Sequence, residues 1–227
     1  DLIREVGTTI PQRVGIELDV LPAQDFFQFQ KIFKDTELVN GSPAIMNCRT
    51  RKTPFEIDHI RKAGQIAAEV FETGKYLLRP GLSEIEFGAL LELEAKKRGH
   101  EGLIRMRGIN REGYSWHILS GPSGSIVSEA DTPVGGRGLS PAFPMGASRR
   151  GIQAGEPILV DFPVCYNGYV ADQLRMYSIG KLPEKFVEAY RLCLDVVERI
   201  LEEARPGVKC EKLFRAAERM AQERGYG

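Results

Sequence analysis

The residues whose types and spacing are best suited to chemistry are Asp161 and Asp172. Between them stands Asn167-Gly168, the strongest short signal for a two-residue β-hairpin turn, because both positions tolerate positive φ. Such a turn pairs Tyr166 with Tyr169, and counting outward from that pair puts both aspartates on the same face as diagonal neighbours, roughly 7 Å apart at the backbone. The sequence therefore predicts a pair of carboxylates presented by one hairpin.

A pair of carboxylates in this setting suits divalent cations. On strands that otherwise read Ile-Leu-Val and Tyr-Val-Ala, the two groups repel each other and lose hydration, and a cation relieves both effects. Two metal ions about 3.5 to 4 Å apart can share such a site, and oxygen ligands favour manganese-like or cobalt-like ions. The alternative is that both aspartates lie on a solvated face beside Arg175 or a neighbouring amide, because surface carboxylates greatly outnumber metal ligands.

The composition excludes several classes of protein. The 227 residues are 42% hydrophobic and 27% charged, which is enough for one domain plus a piece of another. Lys+Arg and Asp+Glu both number 31 and no basic stripe is present, so nucleic acid is not an expected partner. The longest apolar runs are about five residues, against roughly 20 for a membrane span, and no signal pattern opens the chain. We therefore expect no membrane partner and a cytoplasmic location.

The four scattered cysteines form no C-x-x-C pair. This spacing is typical neither of a zinc ribbon nor of a disulfide framework. Reduced, mostly buried thiols are the prediction.

Residues 1–52 are predicted to be the C-terminal part of an α/β N-terminal domain and its linker. Short β-like runs at 14–18 and 44–46 flank a helical stretch near 23–33. Residues 53–227 form the second predicted domain. It opens on a capping box, because Thr53 can cap a helix whose Glu56 reaches back to it.

An internal repeat organises the second domain. Residues 79–99 align without gaps on residues 205–225, and about seven of some twenty positions are identical. In each copy a helix ends at Arg-Pro-Gly and a second helix follows, beginning at Ser83 in the first copy. The domain is thus predicted to be two copies of helix, turn, helix and strands, with the second copy's strands expected beyond Gly227.

Several motifs resemble one family. The helix link Arg79-Pro80-Gly81 with Ser83-Glu84 is similar to its link, and Asp161, Tyr169 and the run Asp172-Gln173-Leu174-Arg175 resemble its D…GY…D-[IL]-T-R signature. The family is that of creatinase, aminopeptidase P and methionine aminopeptidase. The resemblance implies an α+β pita-bread fold of two pseudo-symmetric helix-helix-strand repeats, truncated in the second repeat. The first fifty residues resemble the extra N-terminal domain of the prolidase and aminopeptidase P branch.

The resemblance also implies a function. Asp161 and Asp172 would be the first two of five metal ligands for two divalent ions, Mn, Co or Zn, while a His and two Glu belong to strands beyond Gly227. The implied activity is hydrolysis of the bond before proline at peptide N-termini, as in an Xaa-Pro aminopeptidase or dipeptidase. Peptides are then the substrates, and a homodimer is expected because members of this branch are often dimers.

Two departures from the family pattern leave the catalytic residue unassigned. After Ser120-Gly121-Pro122-Ser123 the family usually has a proton-transferring His, whereas this chain has Ser125, Ser128 and Glu129. Phe162-Pro163 replaces a small residue and Gly, which predicts an edge or bulged strand there.

The three histidines do not fill the gap. His117 is predicted to be a packed or surface residue rather than a proton shuttle, and His59 and His100 are expected to be exposed. The alternative function is therefore a catalytically inactive pita-bread binding or scaffold protein. A metal-free hydrolase of a small amidine compound, as in creatinase, is a third hypothesis, which gives no reason to keep two aspartates on one face.

Overall fold

The computed structural model describes residues 5, 7, 9–108, 117–127 and 135–226, with 112 and 113 by backbone only. The described helices are α1 (Ala23–Ile32), α2 (Ser42–Thr50), α3 (Pro54–Leu77), α4 (Glu84–Lys97), α5 (Glu184–Glu203) and α6 (Cys210–Glu223). The described strands are β1 (Arg13–Ile16), β2 (Glu37–Asn40), β3 (Ile104–Arg105), β4 (Glu112–Gly113), β5 (His117–Ser120), β6 (Ile158–Tyr166) and β7 (Tyr169–Tyr177). None of these helices is long and apolar enough to cross a membrane.

The N-terminal segment contains a parallel pair of strands. β1 runs beside β2 in the register Arg13 to Glu37 through Ile16 to Asn40. The strand predicted at 44–46 is wrong, because these residues lie inside α2. Pro43 occupies the first turn of that helix, where its missing N–H leaves no hydrogen bond unmade. A three-residue apolar run is too short to distinguish helix from strand, and the partner of β1 is β2 instead.

The predicted capping box at the start of α3 is confirmed, and α4 begins with a second capping box. At the start of α3, the Thr53 N–H donates to Glu56 Oε2 at 2.7 Å and the Glu56 N–H donates to Thr53 Oγ1 at 3.3 Å. At the start of α4, the Ser83 N–H donates to Glu86 Oε2 at 2.8 Å and the Glu86 N–H donates to Ser83 Oγ at 3.3 Å. Each box satisfies backbone donors that a helix terminus otherwise leaves unpaired.

The internal repeat is confirmed at the level of its helices. The alignment of 79–99 on 205–225 places the end of α3 on the end of α5, and both ends of α4 on those of α6. The turns correspond as well, since Gly81 and Gly207 have φ of 88° and 90°, values that favour glycine.

The two copies differ in burial. Phe71 of α3 is 4% exposed, whereas Val197, its equivalent in α5, is 55% exposed. On α5, Tyr190, Leu194, Val197 and Leu201 form an apolar stripe at helical spacing that the other described residues leave exposed.

The chain divides into two compact units. The first comprises Asp1–Gly74, Ala89–Trp116 and Asp161–Leu174, and its fully buried residues include Ala63, Ile66, Val70, Leu91 and Phe162. The second comprises Lys75–Gly88, His117–Val160 and Arg175–Gly227, and its fully buried residues include Phe87, Ile118, Ile152, Ile158 and Val160.

The sheet that carries the two aspartates has the order β5-β6-β7. β6 is therefore the middle strand of the three, and the prediction of an edge or bulged strand at Phe162-Pro163 stays a prediction. The pattern of β6, in which Phe162 is 1% exposed, is that of a strand with a fully buried face.

All four cysteines are free thiols, as predicted. The prediction that most of them are buried is wrong, because only Cys165 is buried while Cys48, Cys193 and Cys210 are exposed. Cys193 and Cys210 lie on α5 and α6, each of which has one buried residue among those described.

Candidate metal centre

The hairpin that carries the two aspartates is confirmed. β6 and β7 are adjacent in the sheet and are joined by Asn167 and Gly168, whose φ values are 50° and 77°. Two consecutive positive φ values define the turn that twists in the same sense as the flanking strands. The local sequence thus sets the hairpin directly.

Asp161 lies on the open face of β6. Its neighbours Val160 and Phe162 are 0% and 1% exposed, whereas Asp161 itself is half-buried. Because successive side chains of a strand point to opposite faces, Asp161 points away from the core that these neighbours fill.

Asp172 lies on the open face of β7. The Gln173 side-chain amide donates to the Gly64 carbonyl of α3 at 3.0 Å, and a Cβ added at Gly64 would lie 3.9 Å from the Ala171 Cβ. Ala171 and Gln173 therefore face α3, so Asp172 between them points to the opposite side, where it is exposed. Strand pairing from the turn places it on the face that Asp161 occupies.

This donor set fits an oxygen-preferring divalent ion in part. Two carboxylates on an open face are accessible to a ligand from solvent, and carboxylate oxygens are the donors that manganese and similar ions prefer. Within the part of the chain that the structure describes, no group of three or more His, Cys, Asp or Glu side chains is close enough to hold a metal ion. The metal-binding role of Asp161 and Asp172 therefore stays a prediction.

The turn of the hairpin is held by Glu101. Its Oε2 accepts the Gly168 N–H at 3.0 Å and the Cys165 thiol at 3.2 Å. The Cys165 hydrogen bond and the Gly168 N–H lower the pKa of Glu101, so the carboxylate stays ionised and anchors the turn at neutral pH.

An aromatic group packs beside the same turn. The His59 ring lies 4.1 Å from that of Phe55 and 5.6 Å from that of Tyr169, centre to centre. The Tyr169 hydroxyl also donates to Glu56 Oε1 at 3.4 Å. Hydrogen bonds from Thr53 lower the pKa of Glu56, and partial burial raises the pKa of the Tyr169 phenol. Glu56, which belongs to the capping box of α3, therefore also contacts Tyr169 of β7.

His100 is not exposed, contrary to the prediction, and His59 is half-buried. The His100 Nδ1 accepts the Cys165 N–H at 3.0 Å and its ring lies 5.5 Å from that of Phe162. Its position just past α4 gave no local signal of burial, because the burial results from contact with β6.

Glu84 is a buried residue that the sequence did not reveal. Its side chain is fully buried and accepts four hydrogen bonds, from the N–H and hydroxyl of Ser120, both at 2.8 Å, and of Ser148, at 3.0 and 2.6 Å. This carboxylate joins the start of α4, the end of β5 and a loop. A buried charge is tolerated only when it is paired or fully hydrogen-bonded, as it is here.

The missing histidine of the Ser120-Gly121-Pro122-Ser123 segment is not replaced by an assigned residue. The Ser125 hydroxyl donates to the Pro122 carbonyl at 2.9 Å, while Ser128 and Glu129 lie outside the described residues. His117 is half-buried at the start of β5.

Comparisons with known proteins identify the family. The family model of metallopeptidase family M24 matches residues 58–227. A curated relative, the Xaa-Pro dipeptidase of Pyrococcus furiosus, is 28% identical over 184 residues, which are 81% of this chain and 45% of that protein.

Solved structures agree in fold. The X-Pro aminopeptidase of Thermotoga maritima MSB8 superimposes with a TM-score of 0.81 at 24% identity, and the Xaa-Pro dipeptidase of Bacillus anthracis with 0.77 at 25%. Each match covers 100% of this chain and 56% of the other chain. The chain thus spans about half the length of the relatives it matches. It belongs to metallopeptidase family M24 and has the α+β pita-bread fold of the creatinase, aminopeptidase P and methionine aminopeptidase group.

Proposed function

We propose that the protein is a dinuclear metal-dependent peptidase that hydrolyses the bond before proline at peptide N-termini, as an Xaa-Pro aminopeptidase or dipeptidase. Asp161 and Asp172 are its first two metal ligands, and peptides are its substrates. The observation that carries the proposal is the β6-β7 hairpin of an M24 chain, which presents both aspartates on its open face.

The metal ions and the side chains would have different roles in this site. Two bound divalent ions, Mn, Co or Zn, supply water activation and polarisation of the peptide carbonyl. The chain itself positions the two carboxylates of Asp161 and Asp172 and restrains their motion. The Glu101 bond to the Gly168 N–H and the Gln173 bond to α3 both restrain the hairpin, and a restrained ligand pair loses less entropy when an ion binds.

The ligand role is tested by metal titration of the full-length gene product. Isothermal titration with Mn²⁺ or Co²⁺ is carried out on the wild type, D161N and D172N, with D58N as the matched control because Asp58 is an exposed carboxylate of the same unit outside the hairpin. We expect both hairpin variants to lose about tenfold or more in affinity, since even outer-shell changes cost about 10-fold to 100-fold. If D161N and D172N bind as D58N does, the assignment of these ligands is wrong.

The substrate class is tested by hydrolysis assays on the full-length gene product. Ala-Pro and longer peptides beginning with Ala-Pro are compared with matched peptides that carry Ala in second position. Release of the first residue from the proline peptides, abolished by a chelator and restored by Mn²⁺ or Co²⁺, is the expected result. Full metal loading without cleavage of any Xaa-Pro peptide would exclude the proposed specificity. Relative activity on Ala-Pro and the longer peptides separates dipeptidase from aminopeptidase action.

An inactive scaffold is the second candidate function. The observation that favours it is the absence of a histidine a few residues after Ser120-Gly121-Pro122-Ser123, where related peptidases have one. Under this proposal the full-length gene product binds peptides without cleaving them, and D161N and D172N leave peptide binding unchanged. A cytoplasmic location and a homodimer complete the proposed function. Size-exclusion chromatography of the full-length gene product tests the homodimer.

A further inference from the structure

A cleft of about 590 Å³ in the second unit is lined by three arginines. Arg137, Arg149 and Arg150 line it together with Ser123, Ser148 and Ile126. Among the described residues that line it there is no acidic side chain. A concave surface with one sign of charge concentrates ligands of the opposite sign.

The backbone that presents Arg137 has little freedom. It lies between Gly136 and Gly138, whose φ values are 94° and 62°. A Cβ at Gly136 would lie 2.5 Å from Leu119 Cδ2, and one at Gly138 would overlap the Phe143 carbonyl oxygen. The Gly138 N–H donates to the Gly146 carbonyl at 3.1 Å. Both neighbours must therefore be glycine, and the loop carries Arg137 at a fixed place in the wall.

The charge of Arg150 is already compensated. Its guanidinium donates two bonds of 2.7 Å to the Glu156 carboxylate and one of 2.6 Å to Ser120 Oγ. Glu156 and Glu84 both raise the pKa of Arg150, and Glu84 has four donors of its own. Both acids therefore already have hydrogen-bond partners, and neither lines the cleft.

Among the described residues, the charges of Arg137 and Arg149 have no such partner. Both side chains are exposed, and neither forms an ion pair with any residue that the structure describes. Two guanidinium groups beside one cleft repel each other, and each offers a planar fork of N–H donors that matches a carboxylate or a phosphate group. An anionic ligand between the two guanidinium groups removes this repulsion and accepts hydrogen bonds from both.

We propose that this cleft binds an oxyanion, a carboxylate or phosphate group carried by a small ligand. Arg137 and Arg149 donate to its oxygens, while Arg150 and Ser148 form the base of the cleft. The proposal is independent of the metal centre, because no residue of the hairpin lines the cleft.

Calorimetric titration of the 227-residue chain tests it. Metal is removed beforehand with a chelator that is then dialysed away, and chloride sets a constant ionic strength, so that metal binding and general screening play no part. The probes are inorganic phosphate, the dipeptide Ala-Pro and the amide of Ala-Pro, which lacks the terminal carboxylate. The variants are R137Q and R149Q, and the matched control is R219Q, since Arg219 is an exposed arginine of the same unit outside the cleft.

The expected result is saturable binding of phosphate or Ala-Pro that weakens about tenfold in R137Q and in R149Q, the loss typical of one charge-assisted interaction. R219Q binds as the wild type does, and all variants unfold at the wild-type temperature because the changed side chains are exposed. Binding of Ala-Pro but not its amide identifies a peptide carboxylate as the ligand, whereas binding of phosphate alone identifies a phosphate group. Absence of binding by the wild type, or equal binding by all three variants, overturns the proposal.

Discussion

Cys165 shows how the environment of one side chain decides its chemistry. Its backbone N–H donates to His100 Nδ1 at 3.0 Å and its thiol donates to Glu101 Oε2 at 3.2 Å. Burial, followed by the hydrogen bond and negative charge of Glu101, raises the pKa of the thiol to about 11. The thiolate is the reactive form of cysteine, so this thiol is inert at neutral pH.

Thiol labelling checks this inertness. At pH 8 we expect three thiols of the native protein to react quickly with a disulfide reagent, because Cys48, Cys193 and Cys210 are exposed. The fourth reacts only after denaturation. C165S is the control variant, and it has three fast thiols both before and after unfolding. Rapid reaction of four thiols in the native wild type would contradict the burial of Cys165.

At the residue scale, the sequence predicted the features that depend on residues adjacent in the chain, such as the hairpin turn. The Asn167-Gly168 turn determines the hairpin by itself, so the placement of Asp161 and Asp172 followed from pairing rules. His100 meets its partner 65 residues away, and Glu84 meets its partners 36 and 64 residues away. No local pattern reports such contacts, and burial of these two polar side chains was therefore missed.

Helix starts distinguish the two copies of the repeat at the element scale. The first copy has Ser83 and Glu86 as a reciprocal cap. In the second copy Lys209 stands at the cap position and makes no side-chain hydrogen bond to the helix. In α6 the Lys212 N–H, which corresponds to the Glu86 N–H of α4, donates to the Lys209 carbonyl at 3.0 Å instead of to a side chain.

Exchanging the cap residues tests this difference. S83A removes a cap and should lower the free energy of unfolding by about 1 kcal/mol. K209S adds a hydroxyl at the equivalent position and should raise the same free energy by up to about 1 kcal/mol. Urea denaturation measures both variants, and K209A separates the gain of a cap from the loss of a lysine. A K209S protein no more stable than K209A would show that the backbone of α6 does not accept a cap.

Element types were predictable where caps or turns marked their ends. Thr53, Ser83 and the two Pro-Gly turns located α3, α4 and the corresponding second pair. The segment 37–46 lacked such marks except for Pro43, so a strand was predicted at 44–46, where the structure has a helix, and β2 was not predicted. The choice there is made by tertiary contact, because β2 pairs with β1 across a close approach of Gly15 and Gly41.

At the scale of the whole molecule, Arg107 links distant parts of the first unit. It donates to both oxygens of Asp19 at 2.6 and 2.8 Å and lies 2.9 Å from Glu17. The bond to Arg107, followed by that to Ser42, lowers the pKa of Asp19 from 3.8 to about 2. The segment after β1 is thereby joined to the chain just beyond β3.

This link should give a defined pH dependence. Because the pKa of Asp19 is lower in the folded protein than in the unfolded chain, its stabilisation is complete above about pH 4 and is lost as pH falls through about 2. We expect R107Q to be less stable than the wild type at pH 5 and the difference to vanish near pH 2. Urea denaturation across this range measures it, with R61Q as control because Arg61 forms an exposed pair with Asp58. A difference that does not depend on pH would exclude Asp19 as the titrating partner.

The apolar stripe on α5 should make the chain prone to self-association in solution. The four residues of this stripe lie along one side of α5. Their side chains are 41% (Tyr190), 45% (Leu194), 55% (Val197) and 67% (Leu201) exposed. Salts that are excluded from protein surfaces, such as sulfate, strengthen the association of such areas. Solutions of this chain should therefore scatter more light as sulfate is added, whereas V197K, which interrupts the stripe with a charge, should stay clear at higher protein concentrations.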